Sequence, residues 1–131
     1  MTHMLSKTNL LLAVPPTEMM AAQGFGLTLA HMAYRVGGGP HLFRANLPVP
    51  VRGGVMLIDD AGFDGRGDPA PFCQEVVREC AARGYTGVIC DFDRHLPLLG
   101  QVIAGLSPLL AKRGWPLYVP EPYGRYSATA K

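Results

Sequence analysis

Acidic side chains follow three apolar runs in this chain. In the stretch GYTGVICDFDRH, an apolar run ends on two carboxylates separated by one residue. Two carboxylates held close together repel one another, which suits one of them to donate a proton to a ligand. This chemistry is typical of a cleft that binds or cleaves a polar substrate. The side chains that follow the three runs are Asp59 and Asp60, then Asp91 and Asp93, then Glu121 and Tyr123.

The three runs belong to an alternating pattern of strands and helices. Strands are predicted at Val55–Ile58, at Val88–Asp91 and at Leu117–Val119, the last one closed by Pro120. They are apolar throughout, as expected of parallel strands that helices cover. Short links between strands and helices favour right-handed crossovers in a parallel sheet, so the predicted fold class is α/β.

Two helices are predicted between these strands. The first, in DPAPFCQEVVRECAARG, is predicted to begin at an Asp68 N-cap and to end at Gly84. The second, in HLPLLGQVIAGLSPLLAKRG, contains Pro108, which is expected to kink or split it. The apolar face predicted for the first helix consists of Phe72, Val76, Val77, Cys80 and Ala81.

The first half of the chain gives weaker patterns. The run NLLLAVP predicts a buried strand, and TEMMAAQGFG predicts a short helix capped by Thr17. The segment GLTLAHMAYRVGGG fits both a strand and a helix, and we favour a strand. A loop rich in Gly and Pro follows, with edge-strand character around Leu42 to Ala45.

The parallel sheet determines where a ligand would bind. The carboxyl ends of parallel strands lie at one edge of the sheet, and ligands bind at that edge in open sheets and in barrels. Because side chains alternate along a strand, Asp91 and Asp93 are expected to share one face. We predict that these two residues are catalytic. The predicted substrate-binding residues are Asp59, Asp60, Glu121 and Tyr123.

The stretch RGYTGVICDFD resembles the fourth-strand signature of the family 18 glycoside hydrolases, the chitinase-like enzymes. RGGVMLIDDAG and LAKRGWPLYVPEPYG stand where that family has its third and fifth strands. The resemblance implies a (β/α) barrel that acts on an amino-sugar polysaccharide or oligosaccharide. Aligned on the glycine, the first two signature acids of the family fall on Thr86 and Ile89, its third on Asp91 and its catalytic Glu on Asp93. In the family, that acid protonates the leaving oxygen.

The family needs eight strands, and this chain supplies five. We therefore predict a half-barrel domain over residues 1–124 and a flexible tail over residues 125–131. Such a chain is a truncated barrel, a homo-oligomer that closes by pairing, or a piece lacking a C-terminal half. An apolar edge strand, here Leu117–Val119, is costly to expose, so self-association is expected.

Two alternatives to a glycoside hydrolase remain open. The stretch VICDFDRHL also resembles the first motif of haloacid-dehalogenase-type phosphatases, which implies that Asp91 is nucleophile and Mg²⁺ ligand and Asp93 the general acid. A non-catalytic, self-associating carbohydrate-binding module is the other alternative.

Composition limits the classes of partner. The 131 residues carry a net charge of +2, and their 12 Lys and Arg form no stripe, so no nucleic-acid partner is predicted. No apolar stretch approaches membrane-spanning length. The predicted partner is an oligosaccharide, and no cofactor or metal is predicted. Cys73, Cys80 and Cys90 are interpreted as buried apolar residues in a reducing compartment, which makes a cytoplasmic location the default.

Overall fold

A computed structural model describes residues 11–22, 28–47, 53–121 and 125–128 of the protein. They form one seven-stranded sheet, in which the strands follow the order β1-β2-β4-β5-β6-β7 and β3 also pairs with β2. The neighbours from β1 to β6 along this path are all parallel. Strands that follow one another in the chain are thus mostly neighbours in the sheet, as in half of a (β/α) barrel. The α/β class with parallel strands is confirmed.

The first half of the chain contains two parallel strands and a short helix. Strand β1 spans Leu11–Val14, a 3-10 turn spans Pro16–Glu18, and α1 spans Met19–Ala22. The 3-10 turn begins after Pro15 without a side-chain cap, so Thr17 does not act as the predicted cap. Strand β2 spans Thr28–Gly38, which confirms the strand interpretation of this ambiguous segment.

Strand β3, His41–Arg44, pairs antiparallel with β2 at the sheet edge. The predicted edge-strand character is therefore confirmed. Two acidic residues of α2 hold β3 in place. Glu75 accepts a hydrogen bond from the backbone N–H of Leu42 at 2.8 Å, and Glu79 pairs with Arg44 at 3.1 Å.

Strand β4 spans Val55–Phe63 and is longer than predicted. Asp59 and Asp60 therefore lie inside the strand, and the prediction that they end it is wrong. Helix α2 spans Ala70–Arg83 and ends at Gly84, whose φ of 85° confirms the predicted left-handed terminus. Asp68 accepts a hydrogen bond from the N–H of Ala70, although the residue at the cap position is Pro69.

The buried face of α2 differs from the prediction at two positions. Ala81 is exposed, and Cys73 is buried instead, because the helix turns the start of its apolar stripe toward α3. The buried residues of α2 are Phe72, Cys73, Val76, Val77 and Cys80. All three cysteines are buried and free, which confirms that they are core residues. Burial raises the pKa of Cys73 to about 11 and of Cys80 to about 12.

Strand β5 spans Val88–Asp91, α3 spans Leu96–Ala111 and β6 spans Leu117–Glu121. Pro108 lies within α3 without splitting it. Strand β6 continues through Pro120, where the sequence predicts its end. It is not the edge strand either, because β7, Arg125–Ala128, pairs antiparallel with it. The segment predicted to be a flexible tail thus contains a strand, while residues 129–131 lie outside the described part.

The helices pack on one face of the sheet. Their buried side chains form a single core cluster with Met56, Ile58, Val88 and Cys90. Five buried side chains from the strands form a second cluster on the opposite face: Ala30, Val55, Leu57, Ile89 and Tyr118. In a closed barrel this second face would line the lumen, and we call it the lumen-side face. None of the described helices is long and apolar enough to cross a membrane.

A buried polar group lies in the core near the amino ends of the strands. His31 Nδ1 and the Tyr85 hydroxyl form a hydrogen bond of 3.1 Å, and the Tyr34 hydroxyl donates to Glu79 at 2.7 Å. Burial lowers the pKa of His31, so its ring is neutral at pH 7. Desolvation and the bonds to Tyr85 and Glu79 raise the pKa of Tyr34. His31, Tyr34 and Tyr85 each have a hydrogen-bond partner in this group, as buried polar side chains of a structural core do.

Candidate functional site

Four side chains from four neighbouring strands form a row at the carboxyl edge of the sheet. Arg35 of β2 pairs in register with Phe43 of β3 on one side and with Asp59 of β4 on the other. Asp59 in turn pairs with Asp91 of β5. We call Phe43, Arg35, Asp59 and Asp91 the edge row. Three strand spacings of about 4.8 Å give it a length of about 14 Å.

The edge row lies on the lumen-side face. Leu57 and Ile89, each two residues before the aspartate of its strand, belong to the buried cluster on that face. Because side chains two residues apart share a face of a strand, Asp59 and Asp91 lie directly beyond this cluster. The row therefore places an aromatic ring, a guanidinium and two carboxylates side by side above an apolar floor.

Two glycines create the space that the Arg35 side chain occupies. Gly37 and Gly62 are paired in register, and a Cβ atom there would lie 2.9 Å and 2.5 Å from Arg35 Nη1, respectively. The guanidinium carbon lies 4.9 Å from the centre of the Phe43 ring, a distance typical of a cation–π contact. The side chain of Arg35 is thus held between a ring and a backbone surface.

An open groove of about 400 Å³ borders the Arg35 end of the edge row. Its lining includes three members of the row, Arg35, Phe43 and Asp59. Arg44 also lines it, but this cation is already paired with Glu79. Phe43 is 43% exposed although it is a large apolar side chain. A polar ligand with one apolar surface would fit these walls.

Two predicted binding and catalytic residues, Asp59 and Asp91, are brought together by the pairing of β4 and β5. Both are half-buried. Oδ1 of Asp59 accepts a hydrogen bond from the N–H of Ala61 at 3.0 Å, which fixes the carboxylate on its strand. Paired carboxylates on an open face can accept hydrogen bonds from ligand hydroxyl groups.

Asp60, predicted to bind substrate, points to the other face and is only 1% exposed. Its carboxylate accepts hydrogen bonds from three successive backbone N–H groups, those of Asp93, Arg94 and His95, at 3.3, 2.9 and 2.7 Å. Burial acts to raise the pKa of Asp60, but these three bonds outweigh it and hold the pKa below its ordinary value. Asp60 thus positions the loop between β5 and α3.

Asp93, the predicted partner of Asp91, lies in that loop. Strand β5 ends at Asp91, so the alternation that would put both on one face does not extend to Asp93. Its side chain is 81% exposed, and its Oδ1 lies 3.9 Å from Arg94 Nε. The ring of His95 contacts Phe63 edge to face, with centroids 5.0 Å apart.

The remaining predicted site residues lie on or after β6. Glu121 is the last residue of β6, and its side chain is outside the described part, as is the whole of Tyr123. Within the described ranges, no group of three or more His, Cys, Asp or Glu side chains could hold a metal ion.

Arg35 and Phe43 are members of the site that the sequence analysis missed. The available signal was slight. Arg35 is the only charged residue in the run Leu27–Val36, and a lone charge in an apolar strand can mark the end of its buried part.

In comparisons with family models, with curated proteins and with solved structures, no match to this chain was found.

Proposed function

We propose that the edge row binds a short amino-sugar oligosaccharide. The observation that carries this proposal is the register of β3, β2, β4 and β5, which aligns an aromatic ring, a guanidinium and two carboxylates over about 14 Å. Sugars present hydroxyl groups at their edges and C–H groups on their faces. Asp59, Asp91 and Arg35 can bind the hydroxyl groups, and Phe43 can pack against a sugar face.

The placement of Asp93 favours binding over hydrolysis. A general acid has to reach the leaving oxygen within hydrogen-bond distance, inside a site that excludes water. The Asp93 side chain is 81% exposed and lies beside Arg94 on a loop. We therefore propose a carbohydrate-binding, glycoside hydrolase-like domain without rapid turnover. The amino-sugar specificity rests on the resemblance of RGYTGVICDFD to the family 18 signature.

Calorimetric titration with chitotriose and with cellotriose tests this proposal. Saturable binding of chitotriose should weaken at least tenfold in Asp59→Asn and in Asp91→Asn, because each loses a charged acceptor worth about 1.5 to 3 kcal/mol. Asp93→Asn is the matched control and should bind as the wild type does. Absence of binding to both sugars would refute the proposal.

Two activity assays separate this proposal from its alternatives. Release of p-nitrophenol from a chitobioside, lost in Asp93→Asn, would establish a glycoside hydrolase instead of a binding domain. Mg²⁺-dependent release from p-nitrophenyl phosphate, lost in Asp91→Asn, would favour the phosphatase alternative. We expect neither.

We also propose that the protein is cytoplasmic and self-associates. The three free, buried thiols support a reducing compartment. Exposed sheet edges also support self-association. Over the described strands the sheet is open, with β1 and β3 at one end and β7, which covers β6, at the other.

A further inference from the structure

Arg35 presents a positive charge at the groove. Among the described residues, no carboxylate forms an ion pair with Arg35. The nearest acid in the sheet, Asp59, is bonded through Oδ1 to its own strand at Ala61. Arg44, the other cation at the groove, is paired with Glu79. The groove therefore has one guanidinium available to an anionic ligand.

The position of Arg35 suits a carboxylate in particular. Its guanidinium carbon lies 4.9 Å from the centre of the Phe43 ring, and its Nη1 lies beside the backbone of Gly37 and Gly62. The N–H groups of a planar guanidinium match the two oxygens of a carboxylate. The contact with Phe43 also limits the rotamer freedom that Arg35 would lose on binding a ligand.

We propose that the edge row prefers an acidic saccharide, whose carboxylate binds Arg35 while its hydroxyl groups bind Asp59 and Asp91. This inference rests on the proposed function, since it assumes that the row binds a sugar, and it adds the charge of that sugar. A neutral amino sugar would leave the charge of Arg35 without a counter-charge. A plain anion without hydroxyl groups would offer no donors to the two carboxylates of the row.

Two disaccharides that differ in one group test the preference. N-acetylglucosaminyl-N-acetylmuramic acid carries a lactyl carboxylate that N,N′-diacetylchitobiose, here called chitobiose, lacks. In titrations followed by ¹⁵N NMR at low salt, the acidic disaccharide should bind about tenfold tighter than chitobiose. An isolated charge-assisted pair could give a larger difference, but Asp59 repels the carboxylate of the ligand. The difference should shrink as salt is added.

Variants of two arginines show whether Arg35 is responsible. Arg35→Gln should remove the tenfold difference and leave the affinity for chitobiose within about twofold of the wild type. Arg113→Gln is the matched control, because the guanidinium carbon of Arg113 also lies over a ring, 5.1 Å from the centre of Trp115, but Arg113 follows α3. This control variant should keep the full tenfold difference in affinity between the two disaccharides. Circular dichroism confirms that both variants are folded.

The outcomes separate this inference from the proposed function. Equal binding of the two disaccharides would overturn the acidic preference and leave oligosaccharide binding intact. Failure of both to bind would overturn both proposals. Acetate that competes as strongly as the acidic disaccharide would also overturn the inference, since Arg35 would then be a general anion site. Loss of the difference in Arg113→Gln would show that overall charge, and not Arg35, produces it.

Discussion

Replacing Asp60 with Asn should destabilise the protein more than any other single removal of a carboxylate charge at this edge of the sheet. The substitution keeps the size of the side chain and exchanges one acceptor oxygen for an amide donor. Asp60 is 1% exposed and accepts three backbone N–H bonds from residues 93 to 95. In the variant, at least one of these N–H groups would face an NH₂ group.

The magnitude follows from the bonds that change. A hydrogen bond to a charged group contributes about 1.5 to 3 kcal/mol, and an unpaired buried donor costs about 1 to 3 kcal/mol. Since the amide oxygen of Asn can keep one or two of the three bonds, the free energy of unfolding should fall by about 2 to 4 kcal/mol. The melting temperature of a chain of this size should then fall by roughly 10 °C.

Urea unfolding at pH 7 measures this change. Asp93→Asn is the control, because it makes the same chemical change on a side chain that is 81% exposed; the loss there should stay below about 0.5 kcal/mol. A loss below about 1 kcal/mol in Asp60→Asn, or equal losses in the two variants, would refute the claim that Asp60 anchors the loop.

The same bonds predict a dependence on pH. The pKa of Asp60 is lower in the folded protein than in the unfolded chain, so its contribution is present above the unfolded pKa, about 4, and is lost as the pH falls through the folded pKa. The stability difference between wild type and Asp60→Asn should therefore be constant from pH 5 to 7 and shrink below about pH 4. A difference unchanged at pH 2 to 3 would contradict this cause.

Three further predictions concern other parts of the fold. Gly62→Ala should displace Arg35, because its Nη1 would lie 2.5 Å from the new Cβ, and should thereby remove the acidic preference in the NMR titration. The new Cβ would also lie 3.1 Å from the carbonyl oxygen of Val36, so the free energy of unfolding in urea should fall by about 1 to 3 kcal/mol. Gly67→Ala should lower the free energy of unfolding by at least about 2 kcal/mol, because the φ of Gly67 is 109° and a Cβ there would lie 1.9 Å from the carbonyl oxygen of Gly39. Gly65→Ala is the control: a Cβ there would meet no atom within 4 Å, so the free energy of unfolding should fall by only about 1 kcal/mol. Burial lowers the pKa of His31 from its ordinary value of 6.5, so as the pH falls the unfolded chain binds a proton at this residue before the folded protein does. The free energy of unfolding should therefore decrease as the pH falls below about 6.5, and it should decrease less in His31→Asn. If the stability of the wild type and of His31→Asn depended equally on pH, the effect could not be assigned to His31.

The sequence predicted the second half of the sheet because its patterns there are simple. Apolar runs alternate with helical stripes, and Gly84 ends α2 as a glycine stop should. The extent of β4 was missed, because Asp59, Asp60 and Gly62 are residues that normally end strands. Their presence inside β4 follows from pairing with β2, as Gly37 and Gly62 are in register. The strand β7 was missed because no apolar run marks it.

The candidate site could be predicted only in part, since its members depend on register. Apolar runs that end in acids placed Asp59 and Asp91 at one edge of the sheet, and their pairing in register brings them side by side there. No local pattern could add Arg35 and Phe43, which reach the same row only through the antiparallel pairing of β3 with β2. Likewise, Asp60 and Asp59 are adjacent in the chain but lie on opposite faces, and only the contacts of Asp60 with the loop of Asp93 show that it has a structural role.

Chemical-shift mapping with chitotriose on ¹⁵N-labelled protein tests the central claim most directly. If the edge row binds oligosaccharides, the backbone amides of Arg35, Phe43, Asp59 and Asp91 and of their neighbours should shift in a saturable way, while those on the helices should not. Shifts confined to the loop of Asp93, shifts spread over the helices, or no shifts at millimolar sugar would contradict it.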